Sequence, residues 1–327
     1  GGIRKLLRDR LRDEDRGDRE ANRAALEEFV ATMRDGPVAI ATDEANAQHY
    51  EVPPAFFRAV LGPRLKYSSC LWEPGTDTLA AAEEAMLAKT CERAGIVDGM
   101  RVLDLGCGWG SLGLWVAERY PGCTIRAVSN SVAQREFIEG EASRRGLANI
   151  AVTTADMNGF DTDERFDRVV SVEMFEHMRN WDLLFGRVAS WLAPGGRFLM
   201  HVFCHRELAY FYEDDGDDDW MARYFFTGGL MPSFDLPGRF DRDLVVERSW
   251  AVNGEHYART LLAWLERQDA RREQVLEIFR ETYGRDARRW FERWRLFFLA
   301  CAELFAYRGG EEWFVAHTLL APREGER

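Results

Sequence analysis

The chain has 327 residues, of which 46% are hydrophobic and 30% charged, as is typical of a globular protein with one large domain or two small ones. Its formal net charge of −12 disfavours nucleic acid as a substrate, because binding to phosphates requires a basic surface. No apolar run approaches the length of a membrane span, and six scattered cysteines without a C-x-x-C pair predict reduced thiols, no metal site and a cytoplasmic location.

Residues 1–46 are polar and helix-prone, and we expect an N-terminal helical extension. Four apolar residues of an Arg-rich segment would share one helical face: Ile3, Leu6, Leu7 and Leu11. Such a face could bind a membrane surface or a partner. The simpler interpretation, which we favour, is a helix that packs on the domain or is partly disordered. A second helix is predicted over 24–33.

The most informative stretch is R-V-L-D-L-G-C-G-W-G-S-L-G, residues 101–113. Its apolar residues predict a buried strand. Three glycines at alternate positions predict a tight turn that lets the backbone approach a ligand: Gly106, Gly108 and Gly110. The pattern of 111–120 predicts a helix whose free N–H groups point back at that ligand. Strand, glycine turn and helix in this order indicate a nucleotide-type site.

The spacing of this motif differs from that of the commoner nucleotide sites. It is not the G-x-G-x-x-G of dinucleotide binders, and no G-K-[S/T] follows as in a P-loop. An acid at Asp104, two residues before Gly106, suits a ligand that carries a cation. D-x-G-x-G-x-G is typical of S-adenosylmethionine-dependent methyltransferases. A glycine turn alone would be a weak signal, but the acid, the glycines and the flanking elements together make it strong.

The rest of the chain alternates strand and helix patterns, which predicts a doubly wound sheet. Further strands, the last one antiparallel, are predicted over 124–129, 150–154, 166–172, 196–203, 244–252 and 313–320. Helices are predicted over 78–94, 132–145, 181–191, 255–282 and 286–307. The segment Pro194-Gly195-Gly196 is predicted to be the turn before the fifth strand.

Six segments lie in the order of one family: H-Y-E-V-P-P-A-F-F, K-Y-S-S-C, V-L-D-L-G-C-G-W-G-S-L, S-N-S-V-A-Q, V-E-M-F-E-H-M and D-D-D-W-M-A-R-Y-F-F-T-G-G-L-M-P-S. The chain resembles the cyclopropane-fatty-acyl-phospholipid synthases and, more closely, the plant coclaurine-type N-methyltransferases, over about residues 47–320. The resemblance implies a Rossmann-like, doubly wound, seven-stranded α/β sheet of a class I methyltransferase over 47–327. It also implies an insertion at about 205–243 and helices at about 255–307 that cap the active site.

The resemblance further implies a site for S-adenosylmethionine. The glycine motif would hold its methionine end, the segment before 78 would cap it, and the ends of the second and third strands would meet the ribose and the adenine. The predicted cofactor-binding residues are Tyr67, Ser68, Asp104, Gly106, Gly108, Gly110, Asn130, Gln134, Asp156 and Met157. Without the resemblance, 67–70 would be a loop, and the alternative for Asp156 is a helix N-cap.

Three ionisable residues follow the fourth strand: Glu173, Glu176 and His177. Ligands of open sheets bind beyond the carboxyl ends of the strands, and the three side chains share a face if the turn is helical. A capped helix start with surface carboxylates is the alternative. The chemistry favours a catalytic role, because a carboxylate attracts an ammonium substrate and a carboxylate or histidine can accept its proton.

Cyclopropane synthases use the same positions differently. There a Glu at the position of Glu176 helps to hold a bicarbonate, and Tyr257 matches a tyrosine of that site. The cysteine beside the Tyr–Ser pair of that family is replaced here by Ser69. On the substrate side, Trp294 and Phe297 match a motif that lines the amine pocket of the plant relatives. Most aromatic residues at this helical spacing are nevertheless core residues.

We therefore predict an S-adenosylmethionine-dependent N-methyltransferase that acts on a small aromatic or benzylisoquinoline-like amine, with a lipid-modifying cyclopropane synthase as the alternative. An acidic run over 213–219 would attract a cationic amine and repel a phosphate headgroup, although such runs are usually solvated loops. The predicted partner is the amine. Membrane lipid is a partner only under the alternative, and a homodimer is left open.

Overall fold

The computed structural model describes residues 2–40, 52–212 and 228–323. The strands in these ranges are β1 (Arg101–Leu105), β2 (Thr124–Ser129), β3 (Ile150–Thr154), β4 (Phe166–Val172), β5 (Leu192–His205), β6 (Tyr210–Phe211), β7 (Leu230–Met231), β8 (Leu244–Val252) and β9 (Trp313–Pro322). Seven of them form one sheet in the order β3-β2-β1-β4-β5-β9-β8, and β6 pairs with β7. Strands β1 to β5 are parallel, whereas β9 is antiparallel to both neighbours. The predicted doubly wound seven-stranded sheet and its antiparallel last strand are confirmed.

The helices are α1 (Gly2–Glu14), α2 (Arg19–Asp35), α3 (Pro54–Val60), α4 (Leu79–Ala94), α5 (Ser111–Arg119), α6 (Val132–Arg145), α7 (Trp181–Trp191), α8 (Gly254–Ala270), α9 (Arg272–Tyr283) and α10 (Ala287–Phe305). Local sequence sets several of their ends. Thr78 and Ser131 cap α4 and α6, since each side chain accepts from the backbone N–H three residues on. Gly95 and Gly146 end the same helices in left-handed conformation, as is common for glycine.

The sheet is covered on both faces, and β1 illustrates the reason. Its side chains alternate between faces. Leu103 and Leu105 pack in the same apolar cluster as Phe185 of α7, whereas Val102 packs in another cluster with Trp115 of α5. A strand buried on both faces accounts for the continuous apolar pattern that the sequence shows there.

The fifth strand begins earlier than predicted. It starts at Leu192 and includes the predicted turn, because the chain loops out as a bulge opposite β4: Phe166 pairs with Leu192, whereas Arg168 pairs with Arg197. Gly195 has φ +75°, a conformation that glycine adopts readily. The Pro-Gly-Gly segment is therefore a bulge within the strand.

The helix predicted over 255–282 is two helices. Arg271 leaves helical conformation (φ −111°, ψ 30°) and separates α8 from α9. Its N–H still donates to the carbonyls of Arg267 and Gln268, so the chain bends without losing these bonds. The bend places Phe279 against Phe56 of α3. Neither glycine nor proline marks the bend, so the sequence pattern could not locate it.

The N-terminal helices pack on the rest of the chain. Leu7 of α1 is buried, and Arg4 Nε lies 2.5 Å from Oε2 of Glu303 on α10. Asn180 Nδ2, at the start of α7, donates to the carbonyl oxygens of Arg34, in the last turn of α2, and of Gly36, which follows that helix. The predicted boundary between residues 46 and 47 lies outside the described residues. Within the described ranges, every helix is too short or too polar to cross a membrane.

Candidate active site

A cavity of about 200 Å³ lies between the carboxyl ends of the parallel strands and the helices α8 and α10. Most of the predicted site residues line it: Tyr67, Ser68, Asp104, Gly106, Gly108, Asn130, Gln134, Asp156, Met157, Glu173, His177, Tyr257 and Phe297. In the described structure, Gly110, Glu176 and Trp294 do not line the cavity, and each has a packing or hydrogen-bonding role instead.

The glycine turn forms one side of the cavity. The N–H groups of Gly106 and Cys107 donate to the carbonyl of Val128, at 3.0 and 2.9 Å, which holds the turn against β2. A Cβ on Gly106 would lie 2.5 Å from Cγ of Met174, whereas a Cβ on Gly108 would meet no described atom within 4 Å. The open space above Gly108 fits a bound ligand that approaches the backbone closely, as S-adenosylmethionine would.

Asp104 is buried beneath this turn, and its Oδ2 accepts a hydrogen bond from the N–H of Gly113 at 3.1 Å. Burial raises the pKa of its carboxyl to about 7. A cationic ligand beside the carboxyl would favour the ionised form. Asp104 therefore suits the charged methionine end of the cofactor.

Gly110 supports the packing of the turn. It precedes α5 with φ +78°, and a Cβ there would lie 2.6 Å from Cγ1 of Ile138 on α6. A side chain would therefore both strain the backbone and collide with α6. The purely structural reason for a glycine applies at this position.

Polar side chains after β2 and β3 line the far end of the cavity. Gln134 is buried, and its Oε1 accepts from the hydroxyl of Ser129 at 2.6 Å; Asn130 lies beside them. Asp156 Oδ1 accepts from the N–H of Asn158 at 2.6 Å. Asp156 thus caps a turn rather than the helix of the alternative interpretation, and it also lines the cavity.

The segment before α4 closes the cavity from the other side. Tyr67 and Ser68 line it, and Lys66 is buried beside them. Lys66 Nζ donates to the hydroxyl of Ser68 at 2.5 Å and to the carbonyl of Ser69 at 2.8 Å. Burial lowers the pKa of Lys66. This buried ammonium fixes the segment that the sequence identified only as a loop.

Three polar groups converge on the carboxylate of Glu173, directly after β4. Oε1 accepts from the N–H of Ser69 at 2.9 Å and lies 3.1 Å from Nε2 of His201. Oε2 accepts from the hydroxyl of Tyr257 at 2.5 Å. Burial raises the pKa of Glu173, whereas the charge of Lys66 and the bond from Tyr257 oppose that rise. Glu173 also has φ +49°, a strained conformation that its partners maintain.

Glu176 does not share a face with Glu173 and His177. The turn is a single 3₁₀ turn, Phe175–His177, which directs Glu176 into the protein. Its Oε1 accepts from the N–H of Phe203 on β5 at 2.7 Å. Burial, together with the nearby charge of Glu173, raises the pKa of Glu176 well above its ordinary value. The geometry assigns Glu176 to the attachment of this turn to the sheet.

The side of the cavity opposite the glycine turn is aromatic. Five residues, which we call the aromatic wall, line it: Phe203, Tyr257, Trp264, Phe297 and Phe305. The rings of Tyr257 and Phe305 stack with centroids 4.4 Å apart. Trp294 is a core residue, fully buried and 4.8 Å from the ring of Phe56. Its predicted contact with substrate is therefore indirect, through Phe297 at 5.6 Å.

The sequence pattern did not indicate that Lys66, His201 and part of the aromatic wall belong to the site. A histidine in the middle of the apolar strand F-L-M-H-V-F was the one available signal for His201. The burial of Lys66 had no such signal, since lysine is almost always exposed. The acidic run over 213–219 lies outside the described residues.

Comparisons with known proteins identify relatives of this chain. The family described as mycolic acid cyclopropane synthetase matches residues 39–311. The (S)-coclaurine N-methyltransferase of Thalictrum flavum subsp. glaucum is 39% identical over 302 residues, covering 91% of this chain and 84% of its own. The cyclopropane-fatty-acyl-phospholipid synthase of Escherichia coli (strain K12) is 33% identical over 278 residues, covering 83% of this chain and 66% of its own.

A solved structure is similar to this chain over nearly its whole length. Coclaurine N-methyltransferase bound to N-methylheliamine and SAH superposes with a TM-score of 0.94 at 37% identity, covering 97% of this chain and 93% of that one. Sheet order, glycine turn and buried acid define an S-adenosylmethionine-dependent methyltransferase. Within that class, the chain belongs to the mycolic acid cyclopropane synthetase family.

Proposed function

We propose that the protein N-methylates a small aromatic amine of the benzylisoquinoline type. The relatives named coclaurine N-methyltransferase support this substrate class. The aromatic wall supports it as well, because ring faces hold a flat cationic amine.

The observation that carries the proposal is the position of Glu173. Its carboxylate lies between the glycine turn and the aromatic wall, where an amine would meet the cofactor. S-adenosylmethionine supplies an electrophilic methyl group on sulfonium when bound. Glu173 would attract the ammonium form of the substrate, and Glu173 or His177 would accept its proton and free the nitrogen lone pair. The raised pKa of Glu173 suits that role, and positioning by the cavity would supply much of the rate.

The same contacts favour an amine over a lipid alkene. In a cyclopropane synthase of this family a bicarbonate acts as the base. By resemblance, a Glu at the position of Glu176 helps to hold it, and the other two matching positions are Tyr257 and Ser69. Here both donate to Glu173 instead. A carboxylate of the chain itself therefore takes up donors that a bicarbonate would require.

The test is methyl transfer from labelled cofactor to two separate panels, benzylisoquinoline amines and vesicles of unsaturated phospholipid. We expect N-methylated amines and no modified lipid. Glu173→Gln should lose at least about 100-fold in kcat, whereas Glu139→Gln, which removes an exposed carboxylate on α6, should match the parent. Transfer to lipid without transfer to amines would contradict the proposal.

Three further expectations accompany the proposal. The division into an N-terminal extension and a catalytic domain over 47–327 would be tested by removing residues 1–46 and measuring cofactor binding. The six unpaired cysteines support a cytoplasmic location. The oligomeric state, for which a homodimer was left open, would be tested by sedimentation.

A further inference from the structure

Two buried histidines extend the hydrogen bonding of Glu173 into the sheet. His201 and His317 are directly opposite each other on β5 and β9, and both are 0% exposed. Nε2 of His317 lies 2.9 Å from Nδ1 of His201. The other nitrogen of His201, Nε2, lies 3.1 Å from Oε1 of Glu173. The three side chains form a continuous chain from the cavity to the interior of the sheet.

Burial favours the neutral form of both histidine rings. Burial lowers the pKa of each ring well below its ordinary value, and the positive charges of Lys66 and Arg93 act in the same direction. A neutral imidazole has one N–H donor and one acceptor nitrogen. The two rings therefore share two N–H groups among four nitrogens, and the direction of the chain depends on where those protons are.

Two directions are available. In the first, His317 Nε2–H donates to His201 Nδ1, and His201 Nε2–H donates to an ionised Glu173. In the second, a protonated Glu173 donates to His201 Nε2, and His201 Nδ1–H donates to His317 Nε2. The second direction puts a proton on Nδ1 of His317, which has no partner among the described residues. Buried N–H groups without an acceptor are rare, so the first direction is favoured.

The first direction also matches the other contacts of the carboxylate. Ser69 and Tyr257 already donate to Glu173, and an ionised carboxylate only accepts. We propose that His317 is a positioning residue that fixes the Nε2–H tautomer of His201 and thereby keeps Glu173 ionised and oriented. The proposal rests on the proposed function of Glu173. Neither histidine lines the cavity, so His317 acts through His201.

Other groups also act on Glu173, and a test must leave them in place. Besides the histidine pair, the titratable and charged groups that face it from the elements packed around it are Lys66, Cys70, Glu176, His177, Tyr257 and Cys301. A substitution at His317 changes none of them. A change in the pH dependence of turnover on that substitution is therefore attributable to the histidine pair.

The matched variants are His317→Phe, which keeps a ring without a donor, and His317→Gln, which keeps an N–H donor. In His317→Phe, Nδ1 of His201 loses its donor, and the π face of the new ring can accept an N–H from Nδ1. The tautomer whose Nε2 lone pair faces a protonated Glu173 is then no longer excluded. We expect the midpoint of the acidic limb of the kcat–pH profile to move to higher pH by about one unit. Below that midpoint kcat should be about tenfold lower than in the parent, and above it kcat should equal that of the parent. His317→Gln should keep the parent profile. Cofactor affinity, measured by calorimetry, should be unchanged in both.

A second readout does not depend on catalysis. Nitrogen-15 NMR of the six labelled histidines, assigned by substitution, reports which nitrogen of His201 carries the proton. We expect Nε2–H in the parent and in His317→Gln, and Nδ1–H or a mixture in His317→Phe. An Nδ1–H tautomer in the parent overturns the proposal even if His317→Phe does not fold, and so does an unchanged pH limb in a folded His317→Phe. If Glu173→Gln instead retains full turnover, the proposed function fails while the tautomer result stands separately.

Discussion

The hydroxyl of Tyr257 and Oε2 of Glu173 are 2.5 Å apart, which joins α8 to the turn after β4. One bond thus connects the helices that form the aromatic wall to the carboxylate proposed as proton acceptor. Because the phenol donates, it stabilises the ionised carboxylate. The position of α8 and the protonation of Glu173 are therefore linked.

Tyr257→Phe should move turnover to higher pH. Loss of a hydrogen bond to a charged group raises the pKa of Glu173, and the acidic limb of kcat should rise by about one to two pH units. Initial rates with an amine substrate between pH 6 and 10 measure this. Tyr120→Phe, which removes a hydroxyl remote from the cavity, should leave the profile unchanged. Coincident profiles for Tyr257→Phe and the parent would contradict the link.

Cofactor affinity should rise with pH through the pKa of Asp104, about 7. Binding of a cationic ligand requires the ionised carboxyl, so below this pH a proton must leave and affinity should fall up to about tenfold per unit. Calorimetric titration in two buffers of different ionisation enthalpy should find about one proton released at pH 6 and none at pH 9. Asp104→Asn should bind weakly without this dependence, whereas the exposed Asp163→Asn should behave like the parent.

Alanine substitutions at Gly108 and Gly110 should have different effects on stability and cofactor binding. Gly108→Ala places a methyl group in open space beside the cavity; we expect about 1 kcal/mol of lost stability from backbone strain and at least about tenfold weaker cofactor binding. Gly110→Ala collides with Ile138 and should lose about 2 kcal/mol or more.

Urea unfolding and calorimetry measure the two glycine effects. Combining Gly110→Ala with Ile138→Ala tests the cause, because relief of the collision should make the double variant more stable than the sum of its single changes. Additive losses in the free energy of unfolding would show that backbone strain alone explains why position 110 requires glycine.

Glu312 should stabilise the fold in a pH-dependent way. It is buried, lies 3.0 Å from Nε2 of His205 and 2.6 Å from Nη1 of Arg308, and these partners lower its pKa. Its contribution is therefore present above the ordinary glutamate pKa and is lost as pH falls through the lowered value. Glu312→Gln should lose about 2 kcal/mol at pH 7, and the loss should shrink below about pH 4.

The exposed pair of Arg4 and Glu303 supplies the control for that measurement. Glu303→Gln should change the free energy of unfolding by less than about 0.5 kcal/mol. Equal losses for Glu303→Gln and Glu312→Gln would mean that burial of the His205 pair adds nothing.

Local patterns predicted most of the fold. The strand at 101–105 and its glycine turn follow from apolar residues and spacing. The bend at Arg271 does not, because tertiary packing of Phe279 overrides a continuous helical pattern. Chain order and resemblance placed the residues of the candidate site near one another, but not the directions of their side chains.

Glu176 and His317 are two examples: one is close to the site in sequence but directed away from it, and the other is distant in sequence but hydrogen-bonded to it through His201. Glu176 lies between two cavity residues in sequence, yet a single 3₁₀ turn directs it to the backbone of β5. His317 is 140 or more residues from Glu173 in the printed sequence, and only the antiparallel pairing of β9 with β5 brings it opposite His201. Sequence spacing cannot report a contact that a sheet register creates.

The sheet and the helices supply different parts of the site, and this has a consequence for the evolution of the chain. Glu173, His201 and His317 belong to three adjacent strands, or to the turn directly after one, whereas most of the aromatic wall belongs to α8 and α10. Substitutions on the helices can reshape the space for a new amine while the acid–histidine chain stays intact. A lineage built this way can diversify its substrates one helix residue at a time and keep the same chemistry throughout.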